Sequence, residues 1–161
     1  MTLQFLNTPK TQFPVGKNAF FMVNIGESVI LYKINSINQE MKIMIHKASE
    51  CKSEIREAMR GGDKSVKITH FFDEKNELMS PTRLCAMLEL EPGASIGFHE
   101  HDKEEEMFVV LSGKALINDN GSEVEVSAGD TILTGNGAGH SVKSLGPDTL
   151  KMLAVIVPFA E

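Results

Sequence analysis

The sequence predicts an all-β sandwich or barrel. From Lys64 onward, short apolar or alternating segments follow one another at small intervals, with Gly, Asp, Asn or Pro at nearly every junction. This spacing is typical of strands joined by turns, and it differs from the longer period of alternating strands and helices. The segments predicted as strands are residues 65–72, 83–93, 106–113, 114–119, 123–130, 131–135, 140–144 and 149–158.

Local patterns support these strands and the turns between them. Val124 and Val126 alternate with polar neighbours, which predicts a strand with one buried face. The stretch "DNGS" at residues 119–122 contains an Asn-Gly pair, the strongest short signal for a β-hairpin.

The first third of the chain predicts two further strands and one short helix. Residues 20–23 and 28–34 are apolar segments around the turn "NIGE". Residues 49–62, "SECKSEIREAMRGG", begin with polar residues, continue with helix formers and end at Gly61-Gly62. This order is typical of a short helix with a glycine stop.

Composition limits the class of protein. A chain of 161 residues with 42% apolar content is long enough for one domain with a hydrophobic core. The net charge of −6 and the scattered Lys and Arg residues argue against nucleic acid as a partner. Two cysteines without a CxxC pair argue against a disulfide framework, and the apolar stretch at residues 19–32 is too interrupted to span a membrane. We therefore expect a cytoplasmic protein without a membrane partner.

The stretch "GFHEHDKEEEMF" at residues 97–108 is the strongest candidate for a functional site. His99 and His101 are two residues apart, so on a strand both side chains point to the same face. If the next apolar run pairs with this strand, Glu106 can reach the same point, because Phe108 and Val110 share its predicted inward face. His140, after the glycine-rich "TGNGAG", is the best remaining donor of a fourth ligand.

Two spacings in this region resemble the motifs of the cupin superfamily. The first has five, one, four and six residues between its successive positions, which are Gly93, His99, His101, Glu106 and Gly113. The second has five, one, two and three residues between its positions, which are Gly129, Gly135, Gly137, His140 and Ser144. Cupins usually have proline where Gly135 stands and asparagine where Ser144 stands, but neither position is a metal ligand in the family.

The resemblance implies a cupin double-stranded β-helix, a small jelly-roll barrel of two facing sheets, over roughly residues 64–158. It also implies that His99, His101, Glu106 and His140 hold a divalent transition metal ion: Fe, Mn, Ni, Zn, Co or Cu. Residues from Met41 look like the opening of compact single-domain bacterial cupins. We therefore expect residues 41–161 to form the barrel domain, residues 1–40 an N-terminal extension, and the protein a homodimer.

Other charged residues have less specific interpretations. Glu104 and Glu105 are expected to be solvent-facing charges on a turn. We interpret His70 as a hydrogen-bonded structural histidine, with a general base inside the barrel as the alternative. The three arginines Arg56, Arg60 and Arg83 can each grip a carboxylate or phosphate, although a surface ion pair is the ordinary use.

Two classes of function follow from the resemblance. The leading hypothesis is a metal-dependent enzyme acting on a small oxygen-rich molecule by dioxygenation, decarboxylation, isomerisation or lyase cleavage, all of which occur among cupins. The alternative is a non-catalytic module that binds or senses a small molecule in the same pocket. The sequence assigns no catalytic residue, because no further acid or base stands out beside the expected ligands.

Overall fold

The computed structural model of the protein describes residues 19–24, 29–34 and 43–159. The chain divides into two compact units, Met1–Met44 and Ile45–Glu161. In the first unit, strands β1 (Ala19–Asn24) and β2 (Val29–Ile34) pair as an antiparallel hairpin. This confirms the two strands predicted on either side of "NIGE". The assignment of residues 1–40 to an extension and the homodimer both stay predictions.

The second unit consists of two antiparallel sheets, which confirms the all-β prediction and is consistent with a jelly-roll barrel. Its strands are β3 (Ser53–Glu57), β4 (Ser65–His70), β5 (Leu84–Leu90), β6 (Ser95–Glu100), β7 (Glu104–Ser112), β8 (Lys114–Asp119), β9 (Ser122–Ser127), β10 (Thr131–Gly135), β11 (Gly139–Ser144) and β12 (Leu150–Pro158). One sheet has the order β10-β7-β12-β5-β4-β3, and the other has the order β6-β11-β8-β9.

Alternating apolar side chains from both sheets form one core. Along β5, Ala86, Leu88 and Leu90 are buried, and the residues between them are only partly covered. Both sheets contribute fully buried side chains to the same cluster, among them Phe108 on β7 and Val142 on β11. Burying a side chain of the size of Leu or Phe stabilises the fold by about 1.5–3 kcal/mol. The period of two therefore places every second residue of these strands in the core.

The predicted helix at residues 49–62 is wrong. Within it, Ser53–Glu57 forms the edge strand β3, which pairs antiparallel with β4. A single 3-10 turn, Met59–Gly61, follows, and Ala58 and Arg60 have φ values of 46° and 55°. Such left-handed residues interrupt an α-helix. Pairing with β4 satisfies the backbone over a longer range than local propensity can specify, and the weak helix preference is overridden.

The hairpin between β8 and β9 was predicted correctly, but the burial of β9 was not. Asn120 and Gly121 both have positive φ, at 47° and 95°, as the Asn-Gly turn requires. Val126 is partly buried against the core, whereas Val124 is 53% exposed. Val124 is exposed, contrary to the prediction, because β9 is the outer strand of its sheet and pairs with β8 alone.

Among the described residues, no helix is long and apolar enough to cross a membrane.

Candidate metal centre

The two sheets each contribute side chains to one polar cluster in the interior. His99 lies on β6 and His140 on β11, and the two are direct partners in the ladder between these strands. His101 follows the end of β6. Glu106 comes from β7 in the other sheet, so the hypothesis that its strand pairs with the histidine strand is wrong. Glu106 instead reaches the histidines across the space between the sheets.

The four candidate ligands, His99, His101, Glu106 and His140, converge on one point. Their donor atoms all lie within 4.8 Å of one another. The Oε2 atom of Glu106 is 3.0 Å from the Nε2 atoms of both His101 and His140, and 3.9 Å from that of His99. His101, Glu106 and His140 are buried, while His99 is half-buried. Of the four side chains, that of His99 is therefore the most accessible.

The cluster suits a metal ion. The Nε2 atoms of His101 and His140 and the Oε2 atom of Glu106 are buried, and none makes a hydrogen bond to a described residue. Buried polar atoms without a partner are rare because they lose their hydration without compensation. A cation among these atoms would satisfy all of them. Three imidazoles and one carboxylate accept most divalent transition metals, so the ligand types do not select one.

Two of the histidines are oriented by hydrogen bonds at their other ring nitrogen. The Nδ1 atom of His99 lies 3.0 Å from the carbonyl oxygen of Gly97, to which it must donate. The Nδ1 atom of His140 lies 2.8 Å from the hydroxyl of Thr134, which pairs with Glu106 in the β10–β7 ladder. Because Nδ1 is engaged in each ring, Nε2 is the nitrogen that faces the centre of the cluster.

His101 is oriented by Glu104, a residue that the sequence interpretation missed. Glu104 was expected to face solvent, but its side chain is only 15% exposed, and its Oε1 atom lies 3.0 Å from Nδ1 of His101. Arg83 donates two hydrogen bonds to the same carboxylate. The sequence contained a signal for this role of Glu104, because the residue precedes Glu106 by two positions and so shares its face of β7. Glu105 is half-buried and makes no hydrogen bond or ion pair with a described residue.

The charge states of Glu106 and His99 favour metal binding, whereas that of His101 opposes it. Burial would raise the pKa of Glu106, but the adjacent imidazoles of His101 and His140 outweigh it and lower the pKa to about 2. Burial lowers the pKa of His99, which keeps this ring neutral at pH 7. The pKa of His101 is raised, mainly by Glu106, so a proton competes with a metal ion at this ring.

A cavity of about 240 Å³ opens onto the cluster and is lined by His99, His101 and Glu106. Its other walls combine apolar side chains with all three arginines of the chain. The apolar lining residues are Met59, Ile68, Leu84, Leu88, Ile96, Phe108 and Ile156. The arginines are Arg56, Arg60 and Arg83. The cavity therefore places arginine residues and the candidate metal-binding cluster in contact with the same small volume.

His70 also lines this cavity, and it is hydrogen-bonded to two carboxylates. Its Nδ1 atom is 3.1 Å from Glu74, and its Nε2 atom is 3.2 Å from Glu54. It matches the structural histidine of the sequence interpretation in its bonding, yet it reaches the cavity as well. A second cavity of about 300 Å³ shares only His70 and Glu74 with the first.

We expect Glu104→Gln to weaken metal binding about tenfold, because His101 would lose the charged acceptor that orients it. Glu105→Gln is the matched control: it removes the same charge one residue away, from a side chain without a hydrogen bond or ion pair to any described residue. The measurement is a titration with Mn²⁺ or Zn²⁺ against a competing chelator, with circular dichroism to verify folding. Equal affinities for the two variants would contradict the role of Glu104.

The chain is similar to several known proteins. The family model described as Cupin domain matches residues 86–156. The oxalate-binding protein of Thermotoga maritima is 37% identical over 114 residues, which cover 71% of this chain and 93% of that protein. The crystal structure of a predicted oxalate decarboxylase from Thermotoga maritima has a TM-score of 0.68 at 35% identity, covering 72% of this chain and 100% of the other. A polyketide cyclase from Streptomyces resistomycificus, 20% identical with a TM-score of 0.61, shares the fold over 74% of this chain and 81% of its own.

Proposed function

The chain belongs to the cupin superfamily, and from this membership we propose that it binds a small carboxylate of the oxalate class through a divalent metal ion. In this proposal His99, His101, Glu106 and His140 hold the ion. The similarity to the oxalate-binding protein of Thermotoga maritima supports the class of ligand.

The observation that carries the proposal is the composition of the cavity beside the cluster. All three arginines line this cavity, but Arg56 and Arg83 are paired with carboxylates, whereas Arg60 has no ion pair with any described residue; the uncompensated charge of Arg60 favours an anion. At about 240 Å³, the volume is below the roughly 300–1,000 Å³ of sites for drug-sized ligands, so the ligand is small. When bound, the metal ion would supply a Lewis-acidic point for oxygen atoms of the ligand.

The chain's own residues prepare this site in advance. Glu106 is ionised, and His99 presents an unprotonated Nε2 atom, so neither needs to change its charge before an ion enters. Phe108, which stacks on His140 with ring centroids 5.1 Å apart, and Leu88 and Ile96 keep water away from one side. Excluding water strengthens the electrostatic attraction between the site and an anionic ligand.

The test is calorimetric titration of oxalate into protein loaded with Mn²⁺ and into the same protein after removal of metal with a chelator. We expect saturable binding at one site per chain in the loaded sample, and loss of that binding after metal removal. His140→Ala, treated with Mn²⁺ in the same way, serves as the control for binding outside the cluster. Oxalate binding of equal strength without metal would refute the proposal.

Metal-dependent decarboxylation is the second candidate, and His70 is the observation that favours it. This ring lies between Glu54 and Glu74 and lines the same cavity, so it can deliver a proton there. Conversion of hydrogen oxalate to formate and CO₂ breaks the bond between the two carbons and moves one proton to carbon, without net oxidation. The similarity to the predicted oxalate decarboxylase of Thermotoga maritima supports this reaction.

Assays for formate and CO₂ in the titrated samples distinguish turnover from binding alone. The substitution His70→Gln should reduce turnover without reducing metal content.

A further inference from the structure

We infer that Arg60 determines which ligands the cavity binds. Its guanidinium binds the negatively charged group of the ligand that points away from the metal cluster. The cavity therefore binds dianions in preference to monoanions. This inference rests on the proposed function, because it assumes that a carboxylate binds at the cluster.

Arg60 differs from the other two arginines of the cavity in its bonding. Arg56 donates a hydrogen bond of 2.7 Å to Glu54, and Arg83 donates two hydrogen bonds to Glu104. Arg60 makes no ion pair or side-chain hydrogen bond with any residue in the described part of the chain. The charges of Arg56 and Arg83 are therefore already compensated, while the charge of Arg60 is available to a ligand.

The backbone around Arg60 is fixed against strand β6, which carries His99. The amide of Asp63 donates to the hydroxyl of Ser95 at 2.6 Å, and the amide of Ser95 donates to the carbonyl of Asp63 at 2.9 Å. The strand passes so close that a Cβ atom on Gly97 would lie 2.1 Å from the carbonyl oxygen of Arg60. The turn is thus held in place relative to the cluster. A residue that recognises a ligand needs such a fixed position.

The conformation of Arg60 is unusual for an arginine. Its φ of 55° lies in the left-handed region, which residues with a Cβ atom adopt rarely and glycine adopts readily. Its neighbour Gly61 has a φ of 81° and open space around it. A strained backbone persists where the surrounding structure holds it in place, often at functional sites, and Arg60 lines the cavity beside the cluster.

The charge of the ligand decides what Arg60 contributes. When part of oxalate faces the cluster, the remainder still carries negative charge and needs a counter-ion in the cavity. Glycolate has the same number of carbon atoms, but a hydroxymethyl group replaces one carboxylate. A guanidinium matches a pair of carboxylate oxygens in both charge and geometry. Arg60 should therefore contribute to the binding of oxalate and contribute little to the binding of glycolate.

The experiment compares oxalate and glycolate binding to wild type, Arg60→Gln and Arg56→Gln, all loaded with Mn²⁺, by calorimetry. We expect Arg60→Gln to weaken oxalate binding about tenfold. This loss is at the lower end of the range for a hydrogen bond to a charged group, because the side chain is exposed to solvent. Glycolate binding should change less than about twofold, since it lacks the second carboxylate. Arg56→Gln is the matched control and should change either affinity by less than about twofold, because Glu54 already neutralises Arg56.

Folding and metal loading are verified separately, by thermal unfolding and by metal analysis of each variant. Arg60→Gly suits the left-handed backbone and repeats the test if Arg60→Gln proves unstable. Wild type that fails to bind oxalate overturns the proposed function and this inference together. Wild type that binds oxalate while Arg60→Gln binds it equally well overturns the inference alone. If Arg60→Gln weakens the binding of oxalate and of glycolate equally, the inference is also overturned, because Arg60 would then not discriminate between ligands by their charge.

Discussion

Replacing Glu106 by Gln should reduce the affinity for a divalent metal ion by more than about a hundredfold, because this carboxylate is the shared neighbour of all three imidazoles. The amide has nearly the same size but lacks the negative charge, and it is a poor ligand for a transition metal. Loss of a residue that orients a ligand costs roughly 10–100-fold in affinity, so loss of a ligand itself should exceed that range. The measurement is a metal titration against a competing chelator.

The three consecutive glutamates provide an internal comparison for this result. We expect Glu105→Gln to bind metal nearly as tightly as wild type, Glu104→Gln to bind it more weakly, and Glu106→Gln to lose nearly all metal binding. Each variant removes one negative charge, so a general electrostatic effect would weaken binding similarly in all three. Circular dichroism should show a β-rich spectrum for each. Wild-type metal affinity in Glu106→Gln would rule out this carboxylate as a ligand.

Replacing Gly97 by Ala should lower the free energy of unfolding by about 3 kcal/mol, the upper end for overpacking a well-packed site. An added Cβ atom would lie 2.1 Å from the carbonyl oxygen of Arg60 and 3.1 Å from the carbonyl carbon of Gly61. Both contacts are with backbone, which cannot move aside as the end of a flexible side chain can. The Met59–Gly61 turn or strand β6 would have to shift. Urea unfolding measures the change as a lower midpoint at unchanged slope.

Gly61→Ala is the control from the same turn. No atom lies within 4 Å of the Cβ that this substitution adds, so the only cost is the positive φ of 81°. That cost is about 1 kcal/mol. If Gly97→Ala were as stable as wild type, the turn would not be packed against β6 as the structure shows, and the placement of Arg60 would lose its support.

Much of the fold was predictable, because strands and turns leave local signals in the sequence. Period-two alternation and turn residues located most strands of the second unit, and the Asn-Gly pair located the hairpin between β8 and β9. The error at residues 49–62 has the opposite cause. An edge strand with exposed side chains, such as Ile55, has little apolar alternation, so its local composition resembled a helix.

The candidate site was predictable in its members but not in its surroundings. The motif spacings selected His99, His101, Glu106 and His140, and the structure brings their donor atoms together. Glu104 was missed because an acidic residue beside a turn usually faces solvent, and only the tertiary contacts with His101 and Arg83 show its role. The distinction between the three arginines depends in the same way on which carboxylate each one meets.

The amino-acid sequence was enough to identify which residues alternate, where the chain turns, and which histidines and carboxylate share motif spacings, because these properties depend on neighbours only a few positions apart. Three features could be seen only in the folded chain: Glu106 reaches the histidines from the opposite sheet, Glu104 orients His101, and the turn of Arg60 is held against β6. Alternation states which face of a strand is buried, but it does not state which strand lies opposite. That choice is made by packing between segments far apart in the chain.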